Sequence, residues 1–302
     1  MSHLALALIL TLQMTGLWGH VSNHTKLRII NSAAAIVPAN PQPPVVINMP
    51  LPSQIGTTLP NLSGGSAYAL DRTSGVQLYA HDAANKRPLA SITKLVTILT
   101  VLSRHSINET VTVGQLPSYN ADAELMGLHQ GQQFKLGDLV KAVLIPSDND
   151  AADALALYDS GNITKFAAQM NIKLAQWGIK DARFSNASGL VDAGNYTTAV
   201  ALTRIAQLAL VNPIIRKTAA MQSATITSTA GESYDLETTN KLLATGQFYG
   251  IKTGYTLQAG ECFVGLAHVN GHEIITVILG SNDRFGDTQR LTNWIGTNWQ
   301  WL

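Results

Sequence analysis

The sequence predicts an α+β domain in which strands from both ends of the chain share one antiparallel sheet around a helical middle. Three observations carry this. Residues 66–70, 76–80, 261–269 and 272–280 have the length and apolar patterning of strands. Helical periodicity fills most of the interval from Ser91 to about residue 210. Asn270-Gly271, between the last two strands, is a hairpin signal, because both residues tolerate the positive φ of a two-residue turn.

In chain order, an apolar run from Leu4 to about Trp18 has the length of a signal-peptide core, and "SAAA" at 32–35 is the nearest small-residue cleavage site. Residues 1–35 are expected to be an export signal or an N-terminal membrane anchor, which places the protein outside the cytoplasm. Residues 36–63 are proline-rich and almost uncharged, the composition of an extended linker. The domain is therefore expected over 64–302. It opens with two strands joined by "DRTSG", followed by a helix from Ser91 to about Ser103. "KLGDLVKAVLIPSDNDAADALALYD" is helical on both sides of Pro146, which breaks the ladder and leaves Ser147 to Asn149 in a turn. Helices follow over 162–178 and 197–210, then the hairpin, then a final helix through "DTQRLTNWIGTNWQWL".

Charged residues are 13% of the 302 and the formal net charge is +1. No Lys/Arg block marks a nucleic-acid partner. Cys262 is the single cysteine, so no internal disulfide forms, and its apolar neighbours mark a structural thiol. His268 and His272 flank the hairpin turn and do not make a metal site. Neither a metal nor another cofactor is expected.

One stretch conflicts with its surroundings. In "LASITKLVTILTVLS" the apolar helix face is interrupted by Ser91, Thr93 and Lys94. Burying an ammonium is costly unless it is paired or deprotonated. Alone, the stretch reads as a capped helix with a snorkelling lysine. It is not alone: Ser147-Asp148-Asn149 follows in the post-proline turn, and Lys252-Thr253-Gly254 just ahead of the hairpin. SxxK, SDN and KTG in this order form the signature of class A β-lactamases and penicillin-binding proteins.

The chemistry accounts for the residue types. A serine at a helix N-terminus sits where the dipole and free N–H groups stabilise negative charge. A lysine three residues on shares its face and can reach its oxygen. Desolvation, together with Lys252 as a second cation, would depress the Lys94 pKa enough for a neutral amine to act as base. Ser147 and Asn149 can relay a proton and orient a substrate amide, and Gly254 is expected to leave the strand edge open to substrate.

From about residue 64 to 300 the chain resembles the D-alanyl-D-alanine carboxypeptidases, the low-molecular-mass penicillin-binding serine peptidases. "LGDLVKAVLIPSDNDAADALA", "FSNASGL" (184–190), "NKLL" (240–243) and "GIKTGYTLQAGECFVGLA" (250–267) carry the likeness. The resemblance implies a β-lactamase/transpeptidase-like fold and action on D-Ala-D-Ala stem peptides of peptidoglycan, with β-lactams as covalent inhibitors. It implies Ser91 as the acylated nucleophile, Lys94 as its base, Ser147 as proton donor to the leaving group, and Asn149 holding Lys94 and the substrate amide. The N–H groups of Ser91 and Tyr255 would form the oxyanion hole. Lys252, Thr253 and Arg284 would receive the terminal carboxylate. The chain stops soon after the last expected helix, as in endopeptidase-like members of the family, which leaves cross-link endopeptidase as an alternative. A β-lactamase is a second alternative, but residues 151–230 contain no glutamate to drive deacylation, so penicillin is expected to acylate and leave slowly. A non-catalytic β-lactam sensor or wall-binding module is a third.

Overall fold

The computed structural model describes residues 51–121, 123–190 and 194–301. The expected export segment and the first part of the proline-rich stretch lie outside these residues. In chain order, β1 (Pro52–Gln54), β2 (Ser66–Asp71) and β3 (Gln77–His81) precede a 3-10 turn at Ala90–Thr93 that runs into α1 (Lys94–Leu102). The pair β4 (Thr110–Thr112) and β5 (Gln133–Lys135) leads to α2 (Leu136–Leu144) and α3 (Asn149–Ser160). Next come α4 (Ile163–Gln176), β6 (Ala182–Arg183), β7 (Tyr196–Thr197), α5 (Ala199–Val211) and α6 (Pro213–Ala219). The hairpin of β8 (Ser223–Thr227) and β9 (Ser233–Glu237) precedes β10 (Phe248–Thr256), β11 (Gly260–Val269) and β12 (His272–Ser281). The chain then runs through α7 (Arg284–Asn298) into β13 (Trp299–Trp301).

The central sheet has five strands in the order β10-β11-β12-β2-β3, all pairs antiparallel. Ends of the chain meet where β12 pairs with β2, from Ile274 opposite Asp71 to Leu279 opposite Ser66. Because side chains alternate across a strand, apolar residues at successive positions serve both faces. Val264, Leu266, Ile275, Val277 and Leu279 join the core built on α1 and α5. Phe263, Ala267, Ile274 and Ile278 pack with Leu291, Trp294 and Ile295 of α7. This explains why β11 and β12 read as nearly continuous apolar runs. Every residue of α1 from Lys94 to Val101 is buried, so this helix is the axis of the domain rather than its surface. Among the described residues no single helix is long and apolar enough to cross a membrane.

Three elements differ from the sequence reading. The last helix ends at Asn298, and β13 pairs antiparallel with β1, Pro52 opposite Trp301. Residues 52–63 are thus fastened to the domain: Trp294 Nε1 donates to the Thr58 carbonyl, and Ser63 Oγ donates to Asp287 Oδ2 at 2.8 Å. A proline in a short edge strand is no obstacle to this pairing, which is why composition alone suggested a linker. The third is α6, whose start was readable: Asn212 Oδ1 accepts from Ile214 N at 3.0 Å and Pro213 occupies the first turn.

Candidate active site

The site lies at the seam between the β10 edge of the sheet and the start of α1. Ser91 sits in the 3-10 turn just before the helix, and Ala90 ahead of it has a φ of 50°, an unusual value for a non-glycine residue. Lys94, fully buried, donates from Nζ to Ser91 Oγ at 2.8 Å, to Asn149 Oδ1 at 2.7 Å and to the Ser188 carbonyl at 2.7 Å. Burial lowers its pKa to about 8, against the pull of Asp153, Glu124, Asp148 and Asp150 in the other direction. The sequence reading gave Lys252 a share in this depression. Here desolvation carries it, while four carboxylates oppose it. A base with that pKa has a neutral fraction of about a tenth at pH 7.

Ser147 and Asn149 come from the break between α2 and α3. Ser147 has a φ of 78° and a buried hydroxyl with no hydrogen-bond partner among the described residues. A strained backbone presenting an unsatisfied hydroxyl is the kind of feature that persists at functional sites. Asn149 Nδ2 donates to the Glu124 carbonyl at 2.9 Å while its Oδ1 receives Lys94. Its Oδ1 thus plays the expected part on Lys94. Asp148 is buried beside them, and burial with the neighbouring Asp150 raises its pKa to about 7.

β10 forms the opposite wall. Lys252 is buried, its Nζ donates to the Thr253 carbonyl at 3.1 Å, and burial together with the Lys94 charge holds its pKa well below the ordinary lysine value. The hydroxyls of Thr253 and Thr239 lie 2.6 Å apart. Gly254 has a packing purpose besides the one expected of it. A Cβ there would lie 2.7 Å from the Leu89 carbonyl and 3.1 Å from Ile92 N. Its missing side chain lets the strand close on the turn that carries Ser91. Gly189 does the same from behind: its φ is 77°, and a Cβ would meet the Ala90 carbonyl at 2.1 Å. Arg284, the first residue of α7, donates from Nη1 to the Gly254 carbonyl at 3.0 Å.

Ser91, Glu124, Ser147, Thr239, Thr253, Gly254, Tyr255 and Arg284 line one narrow cleft. With Lys94 and Asn149 bonded behind Ser91 and Lys252 buried beneath Thr253, all nine residues singled out in the sequence converge. A roomier cavity of about 520 Å³, lined by Ile107, Lys135, Lys141, Pro213 and Lys217 among others, contains none of them. The sequence did not single out three contributors: Ser188, Thr239 and Glu124. Ser188 belongs to "FSNASGL", whose carbonyls bind the first-motif helix, including Ala187 O accepting from Thr97 Oγ1 at 2.6 Å. That landmark could have suggested it, whereas nothing local marks Thr239 or Glu124. Among the described residues no group of His, Cys, Asp and Glu is arranged to hold a metal.

A buried amine on a serine hydroxyl, a second cation and a free hydroxyl across a cleft together define a serine acyl-transfer site of the penicillin-binding type. The comparisons agree: the D-alanyl-D-alanine carboxypeptidase family matches residues 53–283, and the chain belongs to that family. It is 29% identical over 274 residues to the D-alanyl-D-alanine endopeptidase of Pseudomonas aeruginosa, covering 88% of this chain and 85% of that one. It is 26% identical over 226 residues to the D-alanyl-D-alanine carboxypeptidase DacF of Bacillus subtilis, 72% of this chain but 57% of that protein. Penicillin-binding protein D2 of Listeria monocytogenes, in its ampicillin-bound form, superposes with a TM-score of 0.68 at 31% identity, over 78% of this chain and 98% of that one. The fold is that of the β-lactamase/transpeptidase-like enzymes.

Proposed function

We propose that the protein is a serine-type D-Ala-D-Ala carboxypeptidase that acts outside the cytoplasmic membrane on peptidoglycan stem peptides, through an acyl-enzyme at Ser91, and that β-lactams inhibit it covalently. The observation that carries this is the buried Lys94 amine 2.8 Å from Ser91 Oγ, with its pKa lowered to about 8. In its neutral form the amine accepts the Ser91 proton as Oγ attacks the carbonyl carbon of the penultimate D-alanine. The N–H groups of Ser91 and Tyr255 stabilise the oxyanion, a contribution of about 3 kcal/mol per donor in such sites. Ser147, whose hydroxyl has no hydrogen-bond partner among the described residues, gives its proton to the departing amine and takes in exchange the one held by Lys94, which returns Lys94 to its neutral form. Water then cleaves the ester with Lys94 again as base, releasing the shortened peptide and restoring Ser91. Lys252, Thr253 and Arg284 receive the terminal carboxylate. The export segment expected over 1–35 accords with a substrate outside the membrane.

Cross-link endopeptidase activity is the second reading, favoured by the extent of the match to the Pseudomonas aeruginosa enzyme. Digested peptidoglycan incubated with the wild type and with Ser91→Ala separates the two: free D-alanine marks the carboxypeptidase, and falling dimers mark the endopeptidase. Stoichiometric penicillin labelling of Ser91 with neither product would make the protein a sensor.

A further inference from the structure

The cleft carries charges of both signs. Arg284 lines it and Lys252 is buried beside it, neither in an ion pair among the described residues. Glu124 lines it too, and its exposed side chain makes no hydrogen bond or ion pair among those residues, although its charge acts on both Lys94 and Lys252.

Glu124 is also held in place. Its carbonyl accepts from both Asn149 N and Asn149 Nδ2 at 2.9 Å. The carboxylate of Asp150 takes the amides of the next residues, Met126 at 3.1 Å, Gly127 at 2.8 Å and Leu128 at 2.9 Å. Asn149 and Asp150 thus pin the backbone at Glu124 and just after it, where Glu124 lines the cleft. On the strand wall the ring of Tyr255 is 56% exposed and lines the same cleft. A carboxylate on an anchored backbone, with an exposed aromatic side chain lining the same cleft, is a pairing that receives an ammonium group, by charge and by cation–π attraction.

We propose that Glu124 is a specificity-determining residue: it receives a primary ammonium carried on the acyl-donor part of a peptide whose terminal carboxylate is received by Lys252, Thr253 and Arg284. This rests on the DD-peptidase reading given above and names the substrate class within it, peptides ending in D-Ala-D-Ala with a free side-chain amine upstream of the scissile bond. Glu124 touches no reacting atom, so its contribution appears as discrimination between substrates rather than as a uniform rate factor.

The test compares Nα-acetyl-L-Lys-D-Ala-D-Ala, with its ε-amine free, against the same peptide acetylated at that amine, measuring kcat/KM for D-alanine release. The free-amine peptide is expected to be favoured by about three- to tenfold in the wild type, the range for an exposed ion pair strengthened by a ring, and less so at high salt. In Glu124→Gln the ratio is expected to fall to near one. Equal kcat/KM for the two peptides in the wild type overturns the proposal, as does an unchanged ratio in Glu124→Gln. An equal loss on both peptides with accumulation of acyl-enzyme also overturns it, by making Glu124 a deacylation residue. If the wild type releases D-alanine from neither peptide, the carboxypeptidase reading is what fails. The same ratio is then read from Ser91 acylation by ampicillin, which carries a primary amine on its acyl side, against N-acetylampicillin: a preference for ampicillin that Glu124→Gln abolishes upholds the proposal, and equal acylation rates overturn it.

Discussion

Between β11 and β12 the sheet buries Phe263, Val264, Leu266, Ile275, Val277 and Ile278, whereas the seam between β10 and α1 buries Lys94, Lys252, Ser147, Asn149, Asp148 and Asp153. The two regions are equally inaccessible and obey opposite rules. In the sheet, removing apolar surface from water stabilises the fold. At the seam, desolvation raises the energy of the charged forms, and that energy appears as altered proton affinity: the Lys94 pKa drops to about 8, and burial raises the Asp153 carboxyl to about 6 against the hydrogen bond from Tyr119. The sheet supports the stability that the seam lacks, and the seam supplies reactivity that the sheet cannot.

The sharpest break of this contrast is Lys94→Met, which keeps the volume and removes the amine. Penicillin acylation of Ser91 is expected to fall by about a thousandfold or more, while the thermal midpoint holds or rises because a buried charge is gone; mass spectrometry and calorimetry on one sample check both. Phe263→Ala is the mirror experiment. It is expected to cost about 3–5 kcal/mol of stability in denaturant titration and to leave the acylation rate of the folded enzyme near that of the wild type. Gly254→Ala lies on the boundary between the regions. Its methyl would force β10 away from the Leu89 carbonyl, and a displacement on the order of 1 Å at the site is expected to slow acylation by about ten- to a hundredfold with a smaller loss of stability. Asp153→Asn has the smallest effect and the most telling sign. Asp153 is the first of the carboxylates that raise the Lys94 pKa, so its neutralisation moves the acylation midpoint to lower pH and raises the rate at neutral pH a few-fold.

The two regions were unequally legible in the sequence. The hairpin followed from Asn270-Gly271 and the apolar runs around it, and the three motifs identified seven of the nine residues that converge on the cleft, because signals of both kinds are local, while Tyr255 and Arg284 came from the family resemblance. What escaped depended on contacts distant in sequence. The β1–β13 pairing joins Pro52 to Trp301, and nothing in "PSQ" announces it. Gly254 was assigned to substrate access alone, since its second constraint, the approach of Leu89 and Ile92, exists only once strand and helix are packed. Glu124 sits in a stretch with no motif and is placed by Asn149 and Asp150. The source of the Lys94 shift was likewise invisible: residue type suggested a neighbouring cation, while its complete burial is a property of the fold.

The central claim is that Lys94 acts on Ser91 as a neutral base made available by burial. The direct test is the second-order rate constant for Ser91 acylation by benzylpenicillin from pH 6 to 10, which reports the protonation state of the free enzyme. Since only the deprotonated amine can accept the serine proton, the rate is predicted to rise about tenfold per pH unit at the acid end, bend near pH 8 and level off above it. A rate that is flat from pH 6 to 9, or that bends only near the ordinary lysine value of about 10.4, would contradict it.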